Sequence, residues 1–289
     1  MNIDPAIKFD HAQVGGTRLH YAIAGEGDEL VLLLHGFPEC WYSWRHQLPA
    51  LSERYTVVAP DLRGYNLSDK PKGVSSYRID ELADDVIGLI HHFRREKAAV
   101  IGHDWGAAIA WHIGFEHPQY LSKLGAFQVP PPSILKRNYS LRQFAASWYM
   151  FFFQLPYLPE FLLGLNDFAL LRRALKETTA ERGSIGDSDI DTYKKAWSEP
   201  GALTAMLNYY RANVLSRFMK PSGIEKKITV PTLFVYGQQD TAIIPESVRG
   251  VGDVIDAKFE QFLVPTAAHW IQQEIPNEIN DILLEFLAS

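Results

Sequence analysis

The chain has 289 residues, 47% of them hydrophobic and 21% charged, a balance that excludes a disordered chain and allows a large core. Its net charge of -6 gives no reason to expect nucleic acid or an anionic membrane as partner, and its single cysteine, Cys40, excludes an internal disulfide framework and a thiolate metal cluster. No run approaches the roughly 18 apolar residues that span a bilayer, and residues 1–5 carry neither a basic nor an apolar segment, so a soluble cytoplasmic protein is expected.

In chain order, Gly15 and Gly16 predict a hairpin that adds antiparallel strands at one sheet edge. Apolar runs predict strands at 30–34, 56–59, 98–101, 123–129, 232–236 and 260–264. Helices are expected at 79–95, where Leu82, Val86, Ile90 and Phe93 fall at helical spacing, at 105–116, and at 277–287. Alternation of short strands with helices predicts an α/β protein, with a mostly parallel central sheet and helices on both faces. The alternation stops between Val129 and Pro221, where aromatic-rich helical segments run from Pro130-Pro131-Pro132 to Lys220-Pro221-Ser222-Gly223. The expected organisation is a core in two pieces, 1–132 and 220–289, with a helical cap insert at 133–219 over the carboxyl ends of the strands. Within the insert, Trp148-Tyr149-Met150-Phe151-Phe152-Phe153 is unusually apolar, and Trp148 and Phe152 are expected to line a substrate cavity.

Gly102-His103-Asp104-Trp105-Gly106 lies between the strand at 98–101 and the helix at 105–116. Its G-x-Nuc-x-G spacing is that of a nucleophile elbow, with aspartate at the position that usually holds serine. A carboxylate there favours attack on carbon and an ester on Asp104, in place of acyl transfer. A glycine-bounded turn whose aspartate caps the next helix has the same local sequence. Two further residues follow in the order the elbow requires: Asp240 after the strand at 232–236, and His269 after the strand at 260–264. Three such residues, each after a strand, favour chemistry over the capping role. The loop His35-Gly36-Phe37-Pro38 follows another strand, so the amides of Phe37 and Trp105 are the expected oxyanion donors, with His35 itself structural.

These segments, together with Trp41-Tyr42-Ser43-Trp44-Arg45 and Asp61-Leu62-Arg63-Gly64-Tyr65, resemble those of the soluble-type epoxide hydrolases of the α/β-hydrolase fold. The resemblance covers essentially the whole chain and is weakest in the insert. One departure is Asn66, where the family usually has glycine; asparagine tolerates a left-handed backbone. The resemblance implies two cap tyrosines that hydrogen-bond the epoxide oxygen, and these are Tyr149 and Tyr210, with Tyr209 the rival of Tyr210. It implies a two-step reaction: Asp104 opens an apolar epoxide while the phenols hold its oxygen, then His269, oriented by Asp240, activates the water that frees a vicinal diol. Phe37 and Trp105 would also contact substrate.

Haloalkane dehalogenases resemble the chain too, sharing the Asp-His-Asp set and holding halide on N–H donors such as Trp105, with Trp148 a candidate second donor. A non-catalytic ligand-binding protein on the same fold is the third reading. No metal or cofactor is implied, since the histidines lack ligand spacing. The sequence leaves monomer and homodimer open.

Overall fold

The computed structural model describes residues 4–219 and 226–289. Its eight strands are β1 (Lys8–Val14), β2 (Thr17–Ala24), β3 (Leu30–Leu34), β4 (Thr56–Pro60), β5 (Ala98–His103), β6 (Leu121–Phe127), β7 (Thr232–Gly237) and β8 (Phe259–Val264). They form one sheet in the order β1-β2-β4-β3-β5-β6-β7-β8. The two-residue turn at Gly15 and Gly16, with Gly15 at φ 55°, makes β1 and β2 an antiparallel pair; β2 also runs antiparallel to β4, and all later pairings are parallel. Every residue of β3 and of β5 is buried, as expected of central parallel strands covered on both faces. The fold is the mostly parallel, helix-flanked α/β sheet that the alternation predicts.

Two element ends fall short of expectation, each for a local reason. The strand expected at 123–129 runs instead over Leu121–Phe127. It stops because Gln128 turns left-handed, φ 68°, and its side chain accepts from the Gly237 N–H at 2.7 Å and donates to the Ala268 carbonyl. Gln128 thus ties the ends of β6 and β7 to the loop after β8. The helix expected at 79–95 ends at His92. Arg94 adopts φ 54°, and the N–H groups of Arg95 and Arg94 return to the carbonyls of Ile90 (3.0 Å) and His91 (2.9 Å), a Schellman closure built without its usual glycine.

Between β6 and β7 the described chain carries only helices, from Pro132–Arg137 to Ala202–Met219. The closing segment Lys220-Pro221-Ser222-Gly223 includes 220–223 and lies outside the described residues. The helix Leu158–Glu177 is broken at Leu165–Phe168, where Asn166, Asp167 and Phe168 are left-handed. Asn66 is left-handed too, φ 42°, and its amide donates to the buried Asp61 carboxylate at 2.8 Å. Among the described residues no helix is long and apolar enough to cross a membrane.

Candidate active site

The elbow is built by close packing. β5 ends at His103, Asp104 sits at φ 52°, ψ -113°, and the helix Trp105–Glu116 starts at once. A side chain on Gly102 would overlap the Gly106 carbonyl, and one on Gly106 would overlap the Leu34 carbonyl of β3. We therefore expect Gly102→Ala to lower stability by about 3 kcal/mol, the upper range for an overpacked core. Denaturant midpoints test this, and a loss under about 1 kcal/mol would mean that the turn yields to a methyl group.

The loop after β3 meets Asp104 from the other side. The Phe37 N–H donates to Asp104 Oδ1 at 2.8 Å, the Trp105 backbone bonds the same carboxylate, and a side chain on Gly36 would overlap it. His35 fixes this loop: its Nε2 accepts from the Leu62 N–H at 3.0 Å, so its Nδ1 carries the hydrogen donated to the Gly36 carbonyl at 3.0 Å. Burial holds the His35 ring below its usual range, consistent with the neutral form.

His269 follows β8 and Asp240 follows β7. His269 Nδ1 donates to Asp240 Oδ2 at 2.7 Å, while Asp240 Oδ1 accepts from the N–H groups of Ala242 (2.7 Å) and Ile243 (3.0 Å). His269 Nε2 faces Asp104 Oδ2 at 3.9 Å. Burial pulls the His269 ring down, but the charge of Asp240, its hydrogen bond and the charge of Asp104 outweigh this and push it to about 9. Burial pushes the Asp104 carboxyl up, against the opposing pull of His269, His103 and the two loop amides.

Asp104, His269, Tyr149 and Tyr210 share one cavity of about 480 Å³, whose remaining wall is mostly apolar and includes Phe37, Trp148, Phe152 and Phe153. The Tyr149 and Tyr210 rings stand edge to face, 6.0 Å apart, and burial with the Asp104 charge pushes both phenols up, so both remain proton donors. Tyr209 is buried differently: its hydroxyl donates to the Arg63 carbonyl at 2.7 Å and its ring packs on Tyr65 and Tyr77. The structure separates the two neighbours, one in the cavity and one behind it. Trp148 is 63% exposed at the cavity wall. The Trp105 ring, expected to touch substrate, is not among the lining residues; it stands edge-on to Tyr209 and Tyr210 and hydrogen-bonds the Tyr210 side chain.

Sequence reasoning did not single out the buried pair behind the elbow. Glu39, fully buried, accepts from the Gly36 N–H (3.2 Å) and the side-chain amides of Gln272 (3.0 Å) and Gln273 (2.8 Å). His103 places Nδ1 2.8 Å from Glu39 and Nε2 2.7 Å from the His269 carbonyl, so both ring nitrogens face oxygen partners. The ring lies next to Asp104 and is among the groups that oppose the rise burial causes in its carboxyl.

A strained carboxylate elbow on a parallel sheet, with acid and histidine at the ends of later strands, defines an α/β hydrolase. The sequence pattern of that family, described as alpha/beta hydrolase fold, matches residues 29–275, and the chain belongs to it. It is 43% identical to the AB hydrolase superfamily protein YfhM of Bacillus subtilis (strain 168), over 97% of this chain and 98% of that protein. It is 38% identical to Epoxide hydrolase 3 of Mus musculus, over 94% of this chain and 74% of the relative. Among solved structures, an inhibitor complex of a Bacillus megaterium epoxide hydrolase superposes with a TM-score of 0.88 at 32% identity, covering 97% of this chain and 100% of that one. Within the fold family, the chain groups with the epoxide hydrolases.

Proposed function

We propose that the protein hydrolyses neutral, apolar epoxides to vicinal diols through an ester on Asp104, with residues 133–219 acting as a cap over the core pieces 1–132 and 220–289. The observation that carries this reading is the division of labour on one carboxylate. Oδ1 of Asp104 is held by the Phe37 amide at 2.8 Å, while Oδ2 faces His269 Nε2 and the cavity that the two phenols line. A group fixed in this way is prepared for attack through Oδ2 and for stabilising charge on Oδ1.

In the first step Oδ2 bonds to one epoxide carbon, the ring C–O bond breaks, and the oxygen takes a proton from Tyr149 or Tyr210. In the second step His269 Nε2 removes a proton from water, and the resulting hydroxide attacks Asp104 Cγ. The negative charge then gathers on Oδ1, where the amides of Phe37 and Trp105 hold it. Collapse expels the diol. Of the two water protons, one ends on the departing alcohol oxygen and the other restores the phenol. The lining residues include no lysine or arginine, which favours substrates without an anionic group near the oxirane.

Asp104 also sets the timing of the base. Its charge is among those that push His269 to about 9, and esterification removes that charge. The ring then loses its proton more readily at the stage that needs a base. The hydrolysis step is present above the histidine's pKa in the ester and lost as pH falls through it, whereas alkylation needs an ionised Asp104 and protonated phenols but not a neutral histidine. We expect Asp240→Asn, which deletes a charge that raises His269, to move the acid limb of hydrolysis to lower pH as well as slow it. A limb that stays in place would remove His269 as the titrating base.

The function itself is tested by incubating the purified protein with matched aryl and alkyl epoxides and haloalkanes and reading diol and free halide together. Diol without halide is expected; halide without diol would assign the site to dehalogenation instead.

A further inference from the structure

A carboxyl outside the reacting set ties the base to the cavity wall. Glu274, in the short helix Ile271–Glu274, accepts the Trp270 N–H on Oε1 at 2.9 Å, and on Oε2 the N–H groups of Ala268 at 3.2 Å and Ala180 at 2.7 Å. Ala268 and Trp270 flank His269. Ala180 belongs to the insert, three residues beyond the helix Leu158–Glu177, whose Leu163, Leu170, Leu171 and Ala174 face the cavity. A second tie lies beside the first: the Trp270 indole N–H donates to Thr178 Oγ1 at 2.8 Å, and both residues line the cavity.

Besides the Gln128 amide on the Ala268 carbonyl, the loop that presents His269 has three anchors. Asp240 holds the ring, His103 holds the His269 carbonyl, and Glu274 holds the amides on either side. Of these three side chains, Glu274 also grips the insert. We propose that Glu274 is a positioning residue which links the seating of the insert wall to the placement of His269 Nε2 for attack on the ester. The inference rests on the two-step reading above. It specifies that substrate packed against Leu170, Leu171 and Ala174 bears on the base through the Ala180 and Thr178 ties. Alkylation uses Asp104 and the phenols, which Glu274 does not contact, so the effect of Glu274 falls on the second step.

The test compares wild type, Glu274→Gln and Thr178→Val in single turnovers with styrene oxide, following ester formation and decay by intact mass after rapid quench. Glu274→Gln keeps one accepting oxygen and loses the charge. Its ester decay is expected to slow about tenfold or more, the effect of a sub-ångström misplacement, while ester formation stays within about twofold. Its acid limb for ester decay should also move to lower pH, because a negative charge near His269 is gone. Thr178→Val keeps that charge and removes the indole tie along with the hydroxyl's own bond to the Ala174 carbonyl, so it should slow ester decay with the limb unmoved. Equal slowing of both steps, or a lowered Tm with ester decay at the wild-type rate in both variants, would overturn the proposal. If the wild type forms no ester at all, the two-step reading fails and the proposal falls with it.

Discussion

Glutamine at position 269 is expected to let the first chemical event run and stop the second, lowering steady-state diol formation by roughly 10³-fold, the scale of a lost general base. The geometry gives the reason. Asp104 Oδ2 is not bonded to the imidazole, whose Nε2 stands 3.9 Å away, where in the proposed reaction it would serve the water of the second step. The His269→Gln protein should therefore gain the mass of one substrate molecule per chain and hold it. Peptide mapping should place the adduct on Asp104. With a substrate that the wild type turns over, absence of any mass gain would eliminate the ester, and an unchanged diol rate would eliminate His269 as base.

The second large effect belongs to the phenols. Removing both hydroxyls, in Tyr149→Phe with Tyr210→Phe, is expected to slow ester formation by about 10³-fold or more, since each donor to a developing oxyanion contributes on the order of 10²-fold. Single variants should retain the reaction at reduced rate, because the remaining phenol still faces the same oxygen. Tyr209→Phe is the built-in control. Its hydroxyl is engaged by the Arg63 carbonyl at 2.7 Å, so its loss should cost about 1 kcal/mol of stability and leave ester formation nearly unchanged. A double variant that still alkylates within tenfold of wild type would reduce the two rings to cavity wall.

The sheet was legible because its central strands are continuous apolar runs, and the elbow because the two glycines frame a single residue. Gly102 and Gly106 cannot carry side chains without meeting the Gly106 and Leu34 carbonyls, so the motif reports a steric requirement directly. Chain order then pointed to Asp240 and His269. Element ends were less legible where a residue other than glycine takes the left-handed region: Arg94 closes a helix and Gln128 ends β6 with no local signal in either case. The choice of Tyr210 over Tyr209 rests on the family resemblance, because two adjacent identical residues carry no signal of their own; in the fold one turns toward Arg63 and the other toward the cavity. Glu39 and Glu274 went unrecognised for a different reason. A partner that gives each its meaning comes from a distant segment, His103 for Glu39 and Ala180 for Glu274, and so appears only once the chain is folded.

The unequal treatment of the two Asp104 oxygens has an isotopic consequence. In the proposed two-step reaction, with Oδ1 pinned at 2.8 Å from the Phe37 amide, the atom that would bond to substrate is Oδ2, and the ester bond cleaved would lie between that oxygen and Cγ. The diol would then leave with an oxygen that began in the protein, and solvent would supply its replacement. In a first turnover in ¹⁸O-water the label should thus enter Asp104 and not the product, and the enzyme's own carboxylate would be renewed, one atom at a time, with each catalytic cycle.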